Sequence, residues 1–250
     1  MSLFDTFDPV SQEILKPSHQ IRPVDGFPET VIATFEEKSI GILLNGWETR
    51  VAAVLCGGRD IPVYAVSHNG RELGVVQTII GGAATAALVE ELLALGAKRL
   101  LLYGACGVLD ASLTAGRLII PCAAYRDEGT SYHYLPPADY VDIPTARRLG
   151  EIFDELNLPY VKGRVWTTDA LYRETRANAD RRRGDGCIAV DMECASAMAV
   201  GRFRGAEVYQ FLYAEDSLDG EAWDARTWGA VPASDYEKYL RVALEAAARL

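Results

Sequence analysis

Residues 73–103, LGVVQTIIGGAATAALVEELLALGAKRLLLY, decide the fold class. Positions 73–80 form a short apolar run rich in β-branched residues and read as a buried strand. Gly81-Gly82 breaks the run. Positions 83–95 then place apolar residues at helical spacing, with Glu90 and Glu91 on the other face and Gly96 as a helix stop. Positions 99–103 return to an apolar strand. A strand, a crossover helix and a second strand in immediate succession are the unit of an α/β sheet.

The same alternation extends in both directions. Upstream, positions 31–35, 51–56 and 62–67 read as strands. Downstream, positions 118–124, 160–167 and 207–213 do so, separated by helical patterns at 145–156, 174–183 and 191–203. Positions 234–250 fit an amphipathic helix capped by Ser234. Gly104-Ala-Cys-Gly107 is expected to turn the chain sharply at the carboxyl end of a buried strand, where ligands tend to bind such sheets. Positions 126–137, polar and aromatic, read as a loop.

The chain has 250 residues, 49% hydrophobic and 24% charged, enough apolar material for one sizeable α/β domain. Its 25 Lys plus Arg against 35 Asp plus Glu give a net charge of −10, which repels phosphate backbones and anionic lipid surfaces. Nucleic acid and membrane are therefore not expected as partners. A small anion still fits, because a few local cations and N–H groups decide its binding. The five cysteines (Cys56, Cys106, Cys122, Cys187, Cys194) show no CxxC and read as reduced, mostly buried thiols. With no long apolar span and no basic leader, the expected location is cytoplasmic.

Two glycine groups and two acid groups carry the chemistry. Gly81-Gly82 lets a ligand approach backbone N–H groups at a helix start, or is simply a tight turn. Neither glycine group matches GxGxxG or the P-loop, which argues against a dinucleotide site or an NTPase. Asp191 and Glu193 stand at an expected helix start, where each alone reads as dipole complementation. Asp216 ends the last strong strand and alone could cap a turn. Their convergence on one sheet edge singles them out. His19, His68 and His133 lack metal-ligand spacing, so no metal is expected. Cys106 has no activating partner nearby and reads as structural.

Thr78-Ile-Ile-Gly-Gly-Ala83, the helix ending Glu90-Glu-Leu-Leu-Ala-Leu-Gly96, Gly104-Ala-Cys-Gly107 and Val190-Asp-Met-Glu193 together resemble the nucleoside phosphorylase family. That family includes uridine phosphorylase, hexameric purine nucleoside phosphorylase and the methylthioadenosine nucleosidases. The likeness runs over residues 31–217 in the family's order. Positions 127–134, DEGTSYHY, are closest to the uridine branch, whereas Asp216 sits where purine-cleaving members carry a catalytic aspartate.

The resemblance implies a single α/β domain at 31–250 with a central mixed β-sheet flanked by helices, and an N-terminal arm at 1–30 reaching a subunit interface. It implies a homo-oligomer (dimer, trimer of dimers or hexamer), no organic cofactor or metal, and phosphate as co-substrate. The implied reaction splits a purine or pyrimidine nucleoside into free base and ribose 1-phosphate. By the same resemblance Glu193 holds the ribose hydroxyls, Met192 packs under the sugar and Asp216 protonates a purine nitrogen. His19 and Arg59 reach a neighbour's site, and Gly81, Arg59 and Lys38 face phosphate. Gly107, Tyr172, Glu174 and Arg176 line the base, Glu174-Thr-Arg176 standing where the uridine-type Gln-x-Arg clamp does.

The departures concern phosphate. Leu102 and Ala105 replace the family's arginine and hydroxyl residue, and Thr34-Phe-Glu-Glu-Lys38 replaces the Gly-Asp-Pro-x-Arg loop. Phosphorolysis is expected ahead of hydrolysis because a retained Arg59 has little purpose in a site for neutral water. A nucleosidase using water and a nucleoside-binding module without catalysis are the alternatives; an NAD-type dehydrogenase has little support.

Overall fold

The computed structural model describes residues 6–56 and 59–250. In chain order its elements are β1 (Thr30–Thr34), α1 (Glu37–Gly46), β2 (Thr49–Cys56), β3 (Asp60–His68), β4 (Arg71–Gln77), α2 (Gly82–Leu95), β5 (Arg99–Val108) and α3 (Ala111–Thr114). There follow β6 (Leu118–Asp127), α4 (Ser131–Tyr134), β7 (Tyr140–Asp142), α5 (Thr145–Glu155), β8 (Tyr160–Thr168), α6 (Arg176–Gly184), β9 (Cys187–Asp191), α7 (Cys194–Arg204), β10 (Glu207–Ser217) and α8 (Ala233–Ala247). The strand, helix and second strand read from residues 73–103 are β4, α2 and β5. Gly81 (φ 110°) and Gly96 (φ 126°) bound α2 in backbone conformations that side chains resist.

One mixed sheet runs β10-β6-β8-β9-β5-β1-β4-β3-β2, with β7 beside β6 and a further pairing of β10 with β5. That pairing closes β5, β10, β6, β8 and β9 into a ring. β5 makes this possible by changing partners along one edge. Arg99–Tyr103 pair with β1, whereas Gly107 and Val108 pair with β9; β10 runs parallel along the other edge throughout. Leu100, Leu101, Leu102 and Tyr103 are fully buried, and Tyr103 stacks on Phe211 with ring centroids 5.3 Å apart. Helices flank the sheet: α2 packs on α7, and α8 contacts α1 and α5.

Several expectations need correction. Gly104–Gly107 is not a turn, because β5 continues through it to Val108. Its small residues are needed for close packing: a side chain at Gly104 would enter the Phe35 ring, and one at Gly107 would meet Leu218 and Val190. Asp191 ends a strand, and the helix after it begins only at Cys194; β9 was hidden by its brevity between two helices. α1 was not anticipated, since its consecutive apolar residues and two glycines blur the helical period. α8 follows Pro232 without a side-chain cap, so Ser234 lies inside the helix. The loop expected at 126–137 starts later, as β6 extends to Asp127 and α4 follows.

Before β1, the described part of the arm includes a 3-10 turn, Pro17–His19, that packs along α2. Cys106, Cys187 and Cys194 are buried free thiols and Cys122 is exposed; the Cys56 side chain lies outside the described residues. Among the described residues no helix is long and apolar enough to cross a membrane.

Candidate active site

The register of the ring brings both acid groups to the same place. Val190 pairs with Gly107 on one edge of β5, and Asp216 pairs with Gly107 on the other. Asp216 reaches that position because the β10 register shifts between Ala214 and Asp216, leaving Glu215 as the extra residue of a bulge. Bulges re-aim side chains in this way beside functional sites.

Asp191 is the anchor beneath the site. Its Oδ2 accepts hydrogen bonds from the Glu193 and Cys194 amides at 3.1 and 2.7 Å, capping α7, and its Oδ1 accepts from Thr167 Oγ1 at 2.7 Å. The dipole-complementing reading therefore fits Asp191. Glu193 does something else. Its side chain is buried and Oε1 accepts a 2.7 Å hydrogen bond from the Gly81 amide, joining the loop before α2 to the start of α7. Burial, reinforced by the Asp191 charge, pushes Glu193 up to about 8. Met192, half-buried, lies between the two acids.

A second layer of polar groups supports this arrangement, and sequence reasoning missed it. Gly82 lies so close to Ser196 that any side chain at 82 would overlap its hydroxyl. Ser196 Oγ donates to Glu128 Oε2 at 2.5 Å, and the Ser131 amide donates to the same oxygen at 2.9 Å. Ser131 Oγ also donates to Glu128 Oε1 and accepts from Arg126 Nε at 2.7 Å. Arg126 stacks on Tyr132, its guanidinium carbon 3.9 Å from the ring centroid. Buried Glu128 thus ties the segment after β6 to α7. In sequence Glu128 stands within the 127–134 stretch that resembles the uridine branch, but nothing there singles it out from its neighbours.

On the base side, Asp216 is buried, which raises its carboxyl, while a 2.6 Å hydrogen bond from Trp223 Nε1 opposes that rise. Burial and the Asp216 charge push Glu174 up to about 7. Gly107 leaves room against Asp216 Oδ1, 3.3 Å from where a side chain would begin. Two other expected base contacts are placed differently. Arg176 donates to the Leu218 carbonyl at 2.9 Å, so it pins the segment after β10. Tyr172 is 93% exposed, and its ring faces solvent rather than a pocket. Cys106 is held far above its usual pKa by burial and by Asp191 and Asp216, which suits an inert thiol.

The expected phosphate side is also altered. The Gly81 amide is already committed to Glu193, so it is not a free anion donor. Leu102 is sealed in the core and the Phe35 ring lies on Gly104. Glu36 accepts from the Tyr213 hydroxyl at 3.0 Å, and Lys38 Nζ sits 5.0 Å from the centre of the Tyr236 ring. Arg59 is exposed at the start of β3, with β4 and β1 between that strand and β5. His19 is exposed on the arm. The single chain brings neither to Glu193. Arg226, which sequence reasoning passed over, is a cation acting on Asp216. Among the described residues no group of His, Cys, Asp and Glu is arranged to hold a metal.

Comparison with known proteins fits this geometry. Residues 29–250 match the family model described as the phosphorylase superfamily. A guanosine phosphorylase of Halorubrum lacusprofundi is 29% identical over 154 residues, 59% of this chain and 62% of that protein, so the match spans less than two thirds of the relative. A uridine phosphorylase from Vibrio fischeri has a TM-score of 0.74 at 21% identity, covering 96% of this chain and 100% of its own. An AMP nucleosidase from Bacteroides thetaiotaomicron has a TM-score of 0.70, also at 21% identity, over 90% of this chain and 89% of its own. At these identities the two structures attest the shared fold.

Proposed function

Because the chain belongs to the phosphorylase superfamily, we propose that it cleaves the N-glycosidic bond of a nucleoside and passes the ribosyl group to water. The observation that carries the cleavage is Glu193, buried and aimed by the Gly81 amide beside the strand that Asp216 flanks. With Oε1 held, Oε2 is the oxygen offered to the ribose hydroxyls. An ionised Glu193 stabilises the oxocarbenium-like sugar as the bond breaks, and hydroxyl donors arriving with the substrate favour that ionised form. Met192 packs under the sugar. Asp216 donates a proton to a ring nitrogen of the departing base, which a purine supplies.

The preference for water departs from the expectation drawn from Arg59. A phosphate dianion entering where relatives hold it would meet the Phe35 ring and the Glu36 carboxylate, with Glu215 beside them. Each charge-assisted hydrogen bond that binds an anion is worth about 1.5–3 kcal/mol, so two missing ligands weaken phosphate binding by several factors of ten. Water needs no such cage. Arg59 and His19 are proposed to act across a subunit boundary in a homo-oligomer. A panel of purine and pyrimidine nucleosides, assayed for free base with wild type and Glu193→Gln, tests the cleavage. Release that the variant loses supports it; nucleoside binding without release from any substrate replaces it with a non-catalytic binding protein.

A further inference from the structure

Beyond β10 the chain doubles back, Ser217 and Asp224 exchanging backbone hydrogen bonds of 2.9 Å in both directions. The base of this excursion is fixed. Arg176 and Arg183 both donate to the Leu218 carbonyl, at 2.9 and 3.2 Å, and Asp219 Oδ2 accepts from the Ala111 amide at 2.9 Å. The result is that Trp223 lies over Asp216. The residue is 57% exposed and its ring meets Trp228 edge to face at 6.0 Å, yet the ring's one polar atom is spent on a buried carboxylate, Asp216 Oδ2, at 2.6 Å. An indole N–H only donates, so that oxygen is kept as an acceptor. The other oxygen, Oδ1, is the one beside Gly107.

We propose that Trp223 is a positioning residue for the cleavage, holding Asp216 Oδ2 so that Oδ1 carries the proton given to the leaving base. This rests on the reading of Asp216 as the proton donor. The proton moves from Asp216 Oδ1 to the ring nitrogen as the electron pair of the glycosidic bond passes to the base, leaving Asp216 ionised, and the indole N–H stabilises that charge. The groups that face Asp216 are Trp223, Asp224 and Arg226 from the segment after β10, Glu215 on its own strand, Glu174 from the turn after β8, and Cys106 on β5. Of these, only Trp223 is seen to hydrogen-bond the Asp216 side chain among the described residues.

The test compares Trp223→Phe with wild type on a purine nucleoside and on a nitrophenyl riboside, whose phenolate departs without a proton. The expected result is a fall of about tenfold or more in kcat on the purine substrate and no change on the nitrophenyl riboside. Removing a donor to the carboxylate also raises its pKa, so the alkaline limb of the purine pH profile moves to higher pH. Trp228→Phe, which keeps the hydrogen bond, leaves both readouts in place. Equal losses on both substrates, or an unmoved limb, overturn the inference and reduce Trp223 to a structural role. Asp216→Asn separates the two levels: if it leaves purine release intact, the proton-donor reading fails and this one falls with it. If Asp216→Asn abolishes release while Trp223→Phe changes nothing, this inference alone fails.

Discussion

Glu193 is a buried acid whose proposed role toward the sugar needs its charge, which burial and the Asp191 charge oppose. A carboxyl raised in the folded state favours folding while protonated; that contribution is complete below 4.5, its ordinary value, and is lost as pH rises through about 8. Glu193→Gln keeps an acceptor for the Gly81 amide and removes the charge. Its melting temperature is therefore expected to gain on wild type across pH 4.5 to 8, by about 2–4 °C for each kcal/mol, while turnover falls on the order of 10²–10³-fold. Thermal melts at several pH values beside kinetics check both; a variant less stable at every pH would make Glu193 a structural acid. For Asp216→Asn, purine release is expected to fall far more than pyrimidine release, and equal effects would remove the purine assignment. Glu193, Met192 and Asp216 were legible because each stands in a short motif. Thr167, Trp223 and, despite its place in the 127–134 stretch, Glu128 were not, since their meaning lies in partners that only folding brings near.

At the level of elements, the α2 to α7 junction depends on a missing side chain. Gly82→Ala would drive its methyl group into the Ser196 hydroxyl and pull Ser196 from Glu128. Overpacking of this kind costs about 1–3 kcal/mol. Gly41, inside α1 with nothing within 4 Å of an added methyl group, is the contrasting site, where alanine is expected to stabilise by about 0.4–1 kcal/mol. Chemical denaturation of the two variants checks the pair, and a neutral Gly82→Ala would show that the junction tolerates slack. β4, α2 and β5 could be read from hydrophobic period alone. The continuation of β5 through Gly104–Gly107 could not, because glycines that break a strand and glycines that let two strands crowd a third look alike in sequence. Only the pairing with β9 and β10 distinguishes them.

At the scale of the whole molecule, the acidic balance seen in the composition recurs at the candidate site, where Glu174 lies near Asp216, Glu215 near Glu36 and Asp216, and Glu193 near Asp191. The arm, proposed to lie against a neighbour, exposes Val10, Ile14 and Leu15, Ile14 at 98%. Where Arg59→Ala lowers turnover, mixing its subunits with Glu193→Gln subunits is expected to restore part of the activity if sites are completed in trans. A fully active monomer would contradict shared sites. The family and the sheet edge that carries the site were legible in the sequence. The acceptor of the ribosyl group was not: in sequence Arg59 argues for phosphate while Leu102, Ala105 and the altered segment 34–38 argue against it, and the packing of Phe35 on Gly104 and the Gly81 amide bond to Glu193 enter only once the chain is folded. The decisive measurement is the sugar product, formed in isotopically labelled water over a series of phosphate concentrations. Free ribose carrying the label, released at a rate independent of phosphate, is the predicted result; ribose 1-phosphate formed in proportion to phosphate would contradict it.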